Sequence, residues 1–141
     1  MKKVFAIVLT LLFAVASSTA WAATSEGYRY ITADDLNVRL SSGPPMIIID
    51  ICPIEQFAKG HIKGSIETNA FPVKTDAEKA RLSELLPKIK ASNDDIIIIC
   101  PRGGGGATNT FDYYKANGVV ENRMLILEKG MDKWPYETER K

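Results

Sequence analysis

The fold is decided by residues 96–106, which read Ile96-Ile97-Ile98-Ile99-Cys100-Pro101-Arg102-Gly103-Gly104-Gly105-Gly106. The apolar half of this stretch is short, continuous and β-branched, which is typical of a strand buried on both faces of a sheet. A second run of the same character reads Met46-Ile47-Ile48-Ile49-Asp50-Ile51. Two such strands predict a parallel sheet if helices connect them along the chain.

Helical signals lie on both sides of these runs. Thr75 and Glu78 have the spacing of a capping box, which opens a helix predicted to continue through Leu82, Leu85 and Leu86. Two further helices are predicted, from Ala33 to Leu40 behind Thr32 and from about Ala107 to Asn117 ahead of Gly118.

Two further short strands are predicted at Met124 to Leu127 and at Ser65 to Thr68. Strands that alternate with helices favour parallel pairing, because a parallel connection needs a crossover segment. The sequence therefore predicts a single α/β domain with a mostly parallel central sheet and helices on both of its faces.

Composition excludes several classes of function. The chain has 141 residues, with 18 Lys and Arg against 17 Asp and Glu, and no block of like charge. Nucleic acid is therefore not an expected partner. With only 2 Cys and 1 His, the chain cannot assemble a Cys/His zinc site, and no metal or other cofactor is expected.

The N-terminus has the three parts of a secretory signal peptide. Lys2 and Lys3 precede an apolar run from Val4 to Ala16, and the sequence Ala20-Trp21-Ala22 follows. The run is shorter than the about 20 residues of a membrane-spanning helix. We therefore expect residues 1–22 to be a signal peptide and residues 23–141 to be the domain. The domain would lie in the periplasm or another extracytoplasmic compartment, without stable membrane insertion.

Cys100 is the candidate reactive residue, because open α/β sheets bind ligands beyond the carboxyl ends of their strands. The glycines after it permit positive φ and let successive N–H groups converge on an anion. The following helix would add its partial positive charge, and Arg102 is a nearby cation. This setting would stabilise a thiolate, which favours a nucleophilic or sulfur-carrying cysteine.

A buried structural cysteine is the alternative, whereas a P-loop is disfavoured because no Lys-Ser/Thr follows the glycines.

Three segments, in the right order, resemble the rhodanese (sulfurtransferase) superfamily. Residues 48–51 and 55–65 resemble its "IDVR…EF…GHIxGA" segment, residues 98–103 its catalytic strand and loop, and residues 127–134 its C-terminal "L-x-G-G-x-x-x-W". The resemblance implies that Cys100 carries a sulfane sulfur as a persulfide. It also implies a substrate site at Arg102, Gly103, Gly104, Gly105 and Gly106. The donor would be thiosulfate, polysulfide or a persulfide, and the acceptor a small thiol or a protein.

The sequence departs from the family pattern at several positions. Pro101 stands where an Arg often follows the Cys, and Gly105 stands where Arg or Thr is common. Arg102 is then the only cation of the loop, which favours a donor smaller or less charged than thiosulfate. Lys129 replaces the first Gly of the C-terminal pair and could place charge at the rim. His61 and Asp50 are expected to be structural.

Two other functions remain open at this point. A Cys-dependent phosphatase has a related architecture, but its loop needs an Arg six positions after the Cys, where this chain has Gly106. A non-catalytic binding module is the other alternative, with Cys52 and Cys100 joined in a disulfide. Cys52 follows Asp50, so it is expected at the same edge of the sheet as Cys100, as a possible second thiol that could exchange with it.

Overall fold

A computed structural model describes residues 27–141, so the predicted signal peptide lies outside the described residues. The five strands are β1 (Tyr30–Ile31), β2 (Met46–Asp50), β3 (Ile66–Glu67), β4 (Asp95–Ile99) and β5 (Met124–Leu127). The five α-helices are α1 (Ala33–Ser42), α2 (Ile54–Lys59), α3 (Asp76–Ser83), α4 (Leu86–Lys90) and α5 (Gly105–Ala116). Short 3-10 helices cover Glu121–Arg123 and Met131–Lys133. No helix among residues 27–141 is long and apolar enough to cross a membrane.

The strands form one parallel sheet in the order β1-β5-β4-β2-β3. The central strand β4 pairs with β2 from Met46 opposite Asp95 to Asp50 opposite Ile99, and with β5 on its other side. Because all pairings are parallel, the carboxyl ends of the strands meet at one edge. The loops after β2, β3, β4 and β5 therefore lie close together there.

The sheet is covered on both faces, as the sequence predicts. Side chains alternate along β4, so that Ile96 and Ile98 enter one hydrophobic cluster while Ile97 and Ile99 enter the other. The first cluster includes residues of α3, α4 and α5, and the second includes Leu36 of α1. Burial on both faces explains why the strand is apolar at every position rather than at alternate ones.

The prediction of one helix from Thr75 through Leu86 is wrong, although its capping box is present. The segment divides into α3 and α4, with the N–H of Leu85 donating to the carbonyl of Leu82 at 3.1 Å in the turn between them. Pro87 accounts for the break, because proline fits the first turn of a helix but not its interior.

Helix α5 begins at Gly105, two residues earlier than predicted, because glycines form its first turn.

Asp50 ends β2 and is buried, with 1% of its surface exposed. Its Oδ1 accepts a hydrogen bond from the backbone N–H of Cys52 at 2.9 Å, whereas its Oδ2 has no hydrogen-bond partner within the described chain. Burial raises the pKa of this carboxyl, and the side chain of Cys52, its N–H and the nearby His61 only partly oppose that rise. Asp50 is therefore a carboxyl whose charged form is disfavoured by the fold.

Replacing Asp50 by Asn is expected to leave the free energy of unfolding at pH 7 unchanged or higher. The raised pKa means that the folded chain binds the Asp50 proton more tightly than the unfolded chain does. The wild-type free energy of unfolding therefore falls as pH rises from about 4 towards neutrality, and Asp50→Asn removes that contribution. Urea unfolding at a series of pH values measures this effect. Glu84→Gln, at an exposed carboxylate, is the control, and a marked loss of stability in Asp50→Asn at pH 7 would contradict the interpretation.

Candidate active site

A cavity of about 220 Å³ opens at the carboxyl edge of the sheet, and Cys100 lies in its wall. Cys100 is the first residue after β4, and the loop that follows it leads directly into α5. The other lining residues come from this loop, from α5 and from the loop after β3, namely Phe71, Pro72, Lys74, Arg102, Gly104, Gly105, Gly106 and Asn109. The parallel sheet thus places Cys100 in the wall of an open pocket.

The thiol of Cys100 is held by the loop that follows it. Only 1% of the residue's surface is exposed, and the backbone N–H of Gly103 donates to Cys100 Sγ at 2.9 Å. An N–H directed at sulfur favours negative charge on that atom. The bond fixes the position of the sulfur against the loop and directs one backbone donor at it.

The loop conformation depends on glycine at Gly103. Its φ is +69°, and a Cβ at this position would lie 2.8 Å from the carbonyl oxygen of Leu127 and from the N of Lys129. A side chain is thus excluded by both the backbone angle and the close approach of the loop after β5.

Gly130 makes the reciprocal contact from the loop after β5. Its φ is +63°, and a Cβ there would collide with the carbonyl oxygen of Cys100. The next two N–H groups, of Met131 and Asp132, donate to the carbonyls of Cys100 and Pro101 at 2.9 Å each. The segment after β5 therefore holds the backbone of Cys100 and Pro101 in place through these hydrogen bonds.

The remaining glycines differ in their surroundings. A Cβ at Gly104 or Gly105 would meet nothing within 4 Å, so these two residues leave the cavity open. At Gly106, by contrast, a Cβ would lie 2.7 Å from the ring of Phe71. Gly104 and Gly105 thus provide room for a ligand, and Gly106 allows α5 to pack against the loop after β3.

Two cations line the cavity rather than one. Arg102 is exposed at its rim, and Lys74 reaches it from the loop after β3. The expectation that Arg102 is the only cation holds for the cysteine loop but not for the cavity. Sequence reasoning missed Lys74 and Asn109, because the first reaches the site only through tertiary packing. Asn109 lies four residues after Gly105 on α5, so helical spacing could have indicated it.

Cys52 lies at the same edge of the sheet but on its opposite face. The N–H of Ile51 donates to the carbonyl of Ile99 at 2.9 Å, and this register sets Ile51 beside Cys100. Ile51 and Cys100 share one hydrophobic cluster, whereas Cys52, one residue further, joins the other. Both cysteines are free thiols, so the disulfide considered as an alternative is not formed. Alternation of side chains along the chain is the physical reason.

The Cys52 thiol is also a poor nucleophile. Burial raises its pKa, and the neighbouring Asp50 carboxyl raises that pKa further. Because the thiolate is the reactive form of cysteine, Cys52 stays protonated and inert near neutral pH. The two thiols therefore lie in different environments, one against the Asp50 carboxyl and one against the N–H of Gly103.

His61 and Lys129 lie outside the cavity lining. The His61 ring stacks on Phe57 with ring centroids 4.0 Å apart, and its Nδ1 lies 3.0 Å from the carbonyl oxygen of Phe57. Lys129 is exposed, with φ of +62°. Within residues 27–141, no group of three or more His, Cys, Asp or Glu side chains could hold a metal ion.

Comparisons with known proteins agree with this architecture. A rhodanese-like domain protein from Staphylococcus aureus superposes with a TM-score of 0.62 at 24% identity, covering 80% of this chain and 98% of the other. A thiosulfate sulfurtransferase from Pseudomonas aeruginosa also gives 0.62, at 16% identity, over 80% of this chain and 20% of its own. A protein of unknown function from Rhodopseudomonas palustris, described as a possible tyrosine phosphatase, gives 0.58 at 18% identity, over 76% and 79%. These similarities show the fold.

The curated protein sequences contain no match to this chain. The family model of the rhodanese-like domain matches residues 32–137, which include β2, the whole of the Cys100 loop and the segment that fastens it. Most of the chain is covered, and this protein therefore belongs to the rhodanese-like domain family.

Proposed function

We propose that this protein is a sulfurtransferase that moves a sulfane sulfur from a donor to a thiol acceptor through a persulfide on Cys100. The observation that carries the proposal is the position of the Cys100 thiol. It lies in the wall of an open cavity, accepts an N–H from Gly103 and is accompanied by the cations Arg102 and Lys74. An anionic sulfur donor matches this combination of nucleophile and charge.

The reaction consists of two exchanges at sulfur. The Cys100 thiolate attacks the outer sulfur of thiosulfate, the S–S bond of the donor breaks, and sulfite leaves with the bonding electron pair. The acceptor thiol gives its proton to the persulfide anion. The acceptor thiolate then attacks the outer sulfur of the protonated persulfide, and Cys100 departs as a thiolate. The transferred sulfur carries its proton to the acceptor persulfide. Electrons balance within the sulfur atoms, so no external oxidant or cofactor is needed.

The loop directs a backbone donor at the Cys100 sulfur, and two cations line the cavity beside it. The Gly103 N–H points at Sγ, so it would stabilise the thiolate before the first exchange and after the second. Arg102 and Lys74 would hold the anionic part of the donor next to the thiol. The two cations supply charge for the dianion thiosulfate as well as for polysulfide and persulfide donors.

The two alternatives have weaker support. A phosphatase would need an Arg at position 106, but Gly106 packs so tightly against Phe71 that a side chain there would displace the ring. A binding module with a Cys52–Cys100 disulfide conflicts with the two free thiols. A catalytic cysteine therefore accounts for more of the site than either alternative.

The proposed setting is extracytoplasmic, and its support is the signal-peptide pattern of residues 1–22. We expect the protein recovered from the periplasm of an expressing bacterium to begin at Ala23. N-terminal sequencing checks this. Recovery of a chain that begins at Met1, from the cytoplasm alone, would contradict the proposal.

Replacing Cys100 by Ser is expected to abolish sulfur transfer while the fold survives, because Ser preserves the shape but not the nucleophile. Incubation with thiosulfate, followed by mass spectrometry of the intact protein, should show one added sulfur atom in the wild type and none in Cys100→Ser. Cys52→Ala is the matched control, since it removes the other buried thiol, and it should keep the added sulfur.

Transfer that persists in Cys100→Ser would contradict the proposal. So would hydrolysis of an aryl phosphate that disappears in the same variant, which would indicate a phosphatase instead.

Replacing Arg102 by Ala is expected to weaken donor binding more than it slows the chemistry, because an exposed cation interacts with bound and reacting anion alike. The KM for thiosulfate should rise about fivefold, or about 1 kcal/mol, with a smaller change in kcat. Steady-state kinetics measure both values, and Lys133→Ala is the control because Lys133 is exposed but lies outside the cavity lining. A collapse of kcat at constant KM would instead assign Arg102 to the transition state.

A further inference from the structure

Helix α2 begins two residues after Cys52, at the carboxyl edge of the sheet, yet none of its residues lines the Cys100 cavity. One of its side chains contacts the segment after β5 instead, because Gln56 Nε2 donates to Asp132 Oδ1 at 2.8 Å. Since β4 lies between β2 and β5 in the sheet, this bond joins the two segments that flank the Cys100 loop. Gln56 is therefore in a position to act on that loop from outside the cavity.

Asp132 is the link between Gln56 and the loop. Its carboxylate accepts the Gln56 amide, and its backbone N–H donates to the carbonyl of Pro101 at 2.9 Å. Proline has no N–H, so its carbonyl is the one backbone group through which a hydrogen bond can hold it. Asp132 is exposed and lies in a 3-10 helix of three residues, an element with poor internal hydrogen-bond geometry. Contacts from outside that helix, such as the one from Gln56, therefore fix its position.

Helix α2 is itself held in place by other contacts. A helix of six residues is not stable alone in water, so it depends on tertiary structure. Phe57 is buried, and the N–H of Lys141 donates to the carbonyl of Ala58 at 3.1 Å. His61, just beyond the helix, exchanges two backbone hydrogen bonds with Glu139, at 2.8 and 2.9 Å. The helix is therefore held both at its buried face and at its C-terminal end.

We infer that Gln56 is a positioning residue for the transfer of sulfur by Cys100. It holds Asp132, and Asp132 in turn holds the Pro101 carbonyl. That carbonyl lies between Cys100 and Gly103 along the chain, so a shift of the carbonyl changes how the Gly103 N–H meets Cys100 Sγ. The inference rests on the proposed function, and it adds a residue that lies outside the cavity lining. Because Gln56 does not touch the donor, its effect falls on the rate of exchange and not on donor binding.

Gln56→Met tests this link, because methionine keeps the length and the helix propensity of glutamine but cannot donate a hydrogen bond. Turnover is measured with thiosulfate and an excess of a small thiol. We expect kcat to fall about fivefold, while the KM for thiosulfate changes by less than about twofold. Glu55→Met is the matched control, at an exposed neighbour on the same helix that lies outside the cavity lining, and it should leave kcat unchanged.

An exchange of partners separates the hydrogen bond from the charge. Gln56→Glu sets two carboxylates against each other and should lower kcat at least as much as Gln56→Met does. Adding Asp132→Asn restores a bond from amide to carboxylate with its direction reversed, and kcat should return to within about twofold of the wild-type value. Asp132→Asn alone should also stay within about twofold, because its amide oxygen still accepts from Gln56. If net charge were responsible, Gln56→Met would have no effect, and Gln56→Glu and Asp132→Asn would change kcat in opposite directions.

The amide signal of Gly103 gives a readout that needs no sulfur transfer, since this N–H is the one directed at Cys100 Sγ. In spectra of the 15N-labelled protein, the signal should move in Gln56→Met and in Gln56→Glu. It should return towards its wild-type position in the double variant, and it should stay in place in Glu55→Met.

The kinetic and spectroscopic results together decide the inference. Unchanged kcat in Gln56→Met, an equal fall in Glu55→Met, a fall without a shift at Gly103, or no recovery in the double variant would each overturn it. If no persulfide forms in the wild type but the Gly103 signal follows the expected pattern, the sulfurtransferase proposal falls and the link from Gln56 to the loop stands. If the persulfide forms and Gln56→Met changes neither kcat nor the Gly103 signal, the link falls and the proposed function stands.

Discussion

Parallel pairing of β4 between β2 and β5 is the constraint on which the rest of the molecule depends. The strand is buried on both faces and paired along both edges, so its backbone polar groups are hydrogen-bonded within the sheet and not to water. The chain emerges from the buried sheet at the carboxyl end of β4, and Cys100 is the first residue beyond that end. The position of Cys100 is thus a consequence of the strand pairing that forms the buried core.

The second determinant is the close approach of two loops that are distant in sequence. Gly103 and Gly130 each lack the Cβ that would collide with the other loop, and the N–H groups of Met131 and Asp132 bind the carbonyls beside the cysteine. The Cys100 loop is therefore not free to adapt, although it contains four glycines. Its shape is imposed by the segment after β5, which explains why the C-terminal motif accompanies the cysteine motif.

The two cysteines lie at one edge of the sheet but in different surroundings. Cys100 receives an N–H at sulfur and lines an open cavity, whereas Cys52 is buried against the carboxyl of Asp50. One residue of offset in the register separates these environments, because successive side chains point to opposite faces. The same alternation places the two thiols in different hydrophobic clusters.

Much of this protein was determined by local sequence. The continuous isoleucine runs specify strands buried on both faces, the Thr75 and Glu78 pair specifies the start of α3, and the glycines after Cys100 specify a turn into α5. Each of these follows from interactions between residues close together along the chain. The order of the three family motifs can likewise be read from the sequence alone.

Tertiary structure alone decided which other groups meet the thiol. Lys74 and Asn109 enter the cavity because the loop after β3 packs on α5, and Cys52 leaves it because Ile51 takes the place beside Cys100. The division of the Thr75–Leu86 segment into two helices is intermediate, since Pro87 marks it locally but the packing of both pieces on the sheet completes it. These outcomes depend on contacts between distant segments, and neither residue type nor spacing records such contacts.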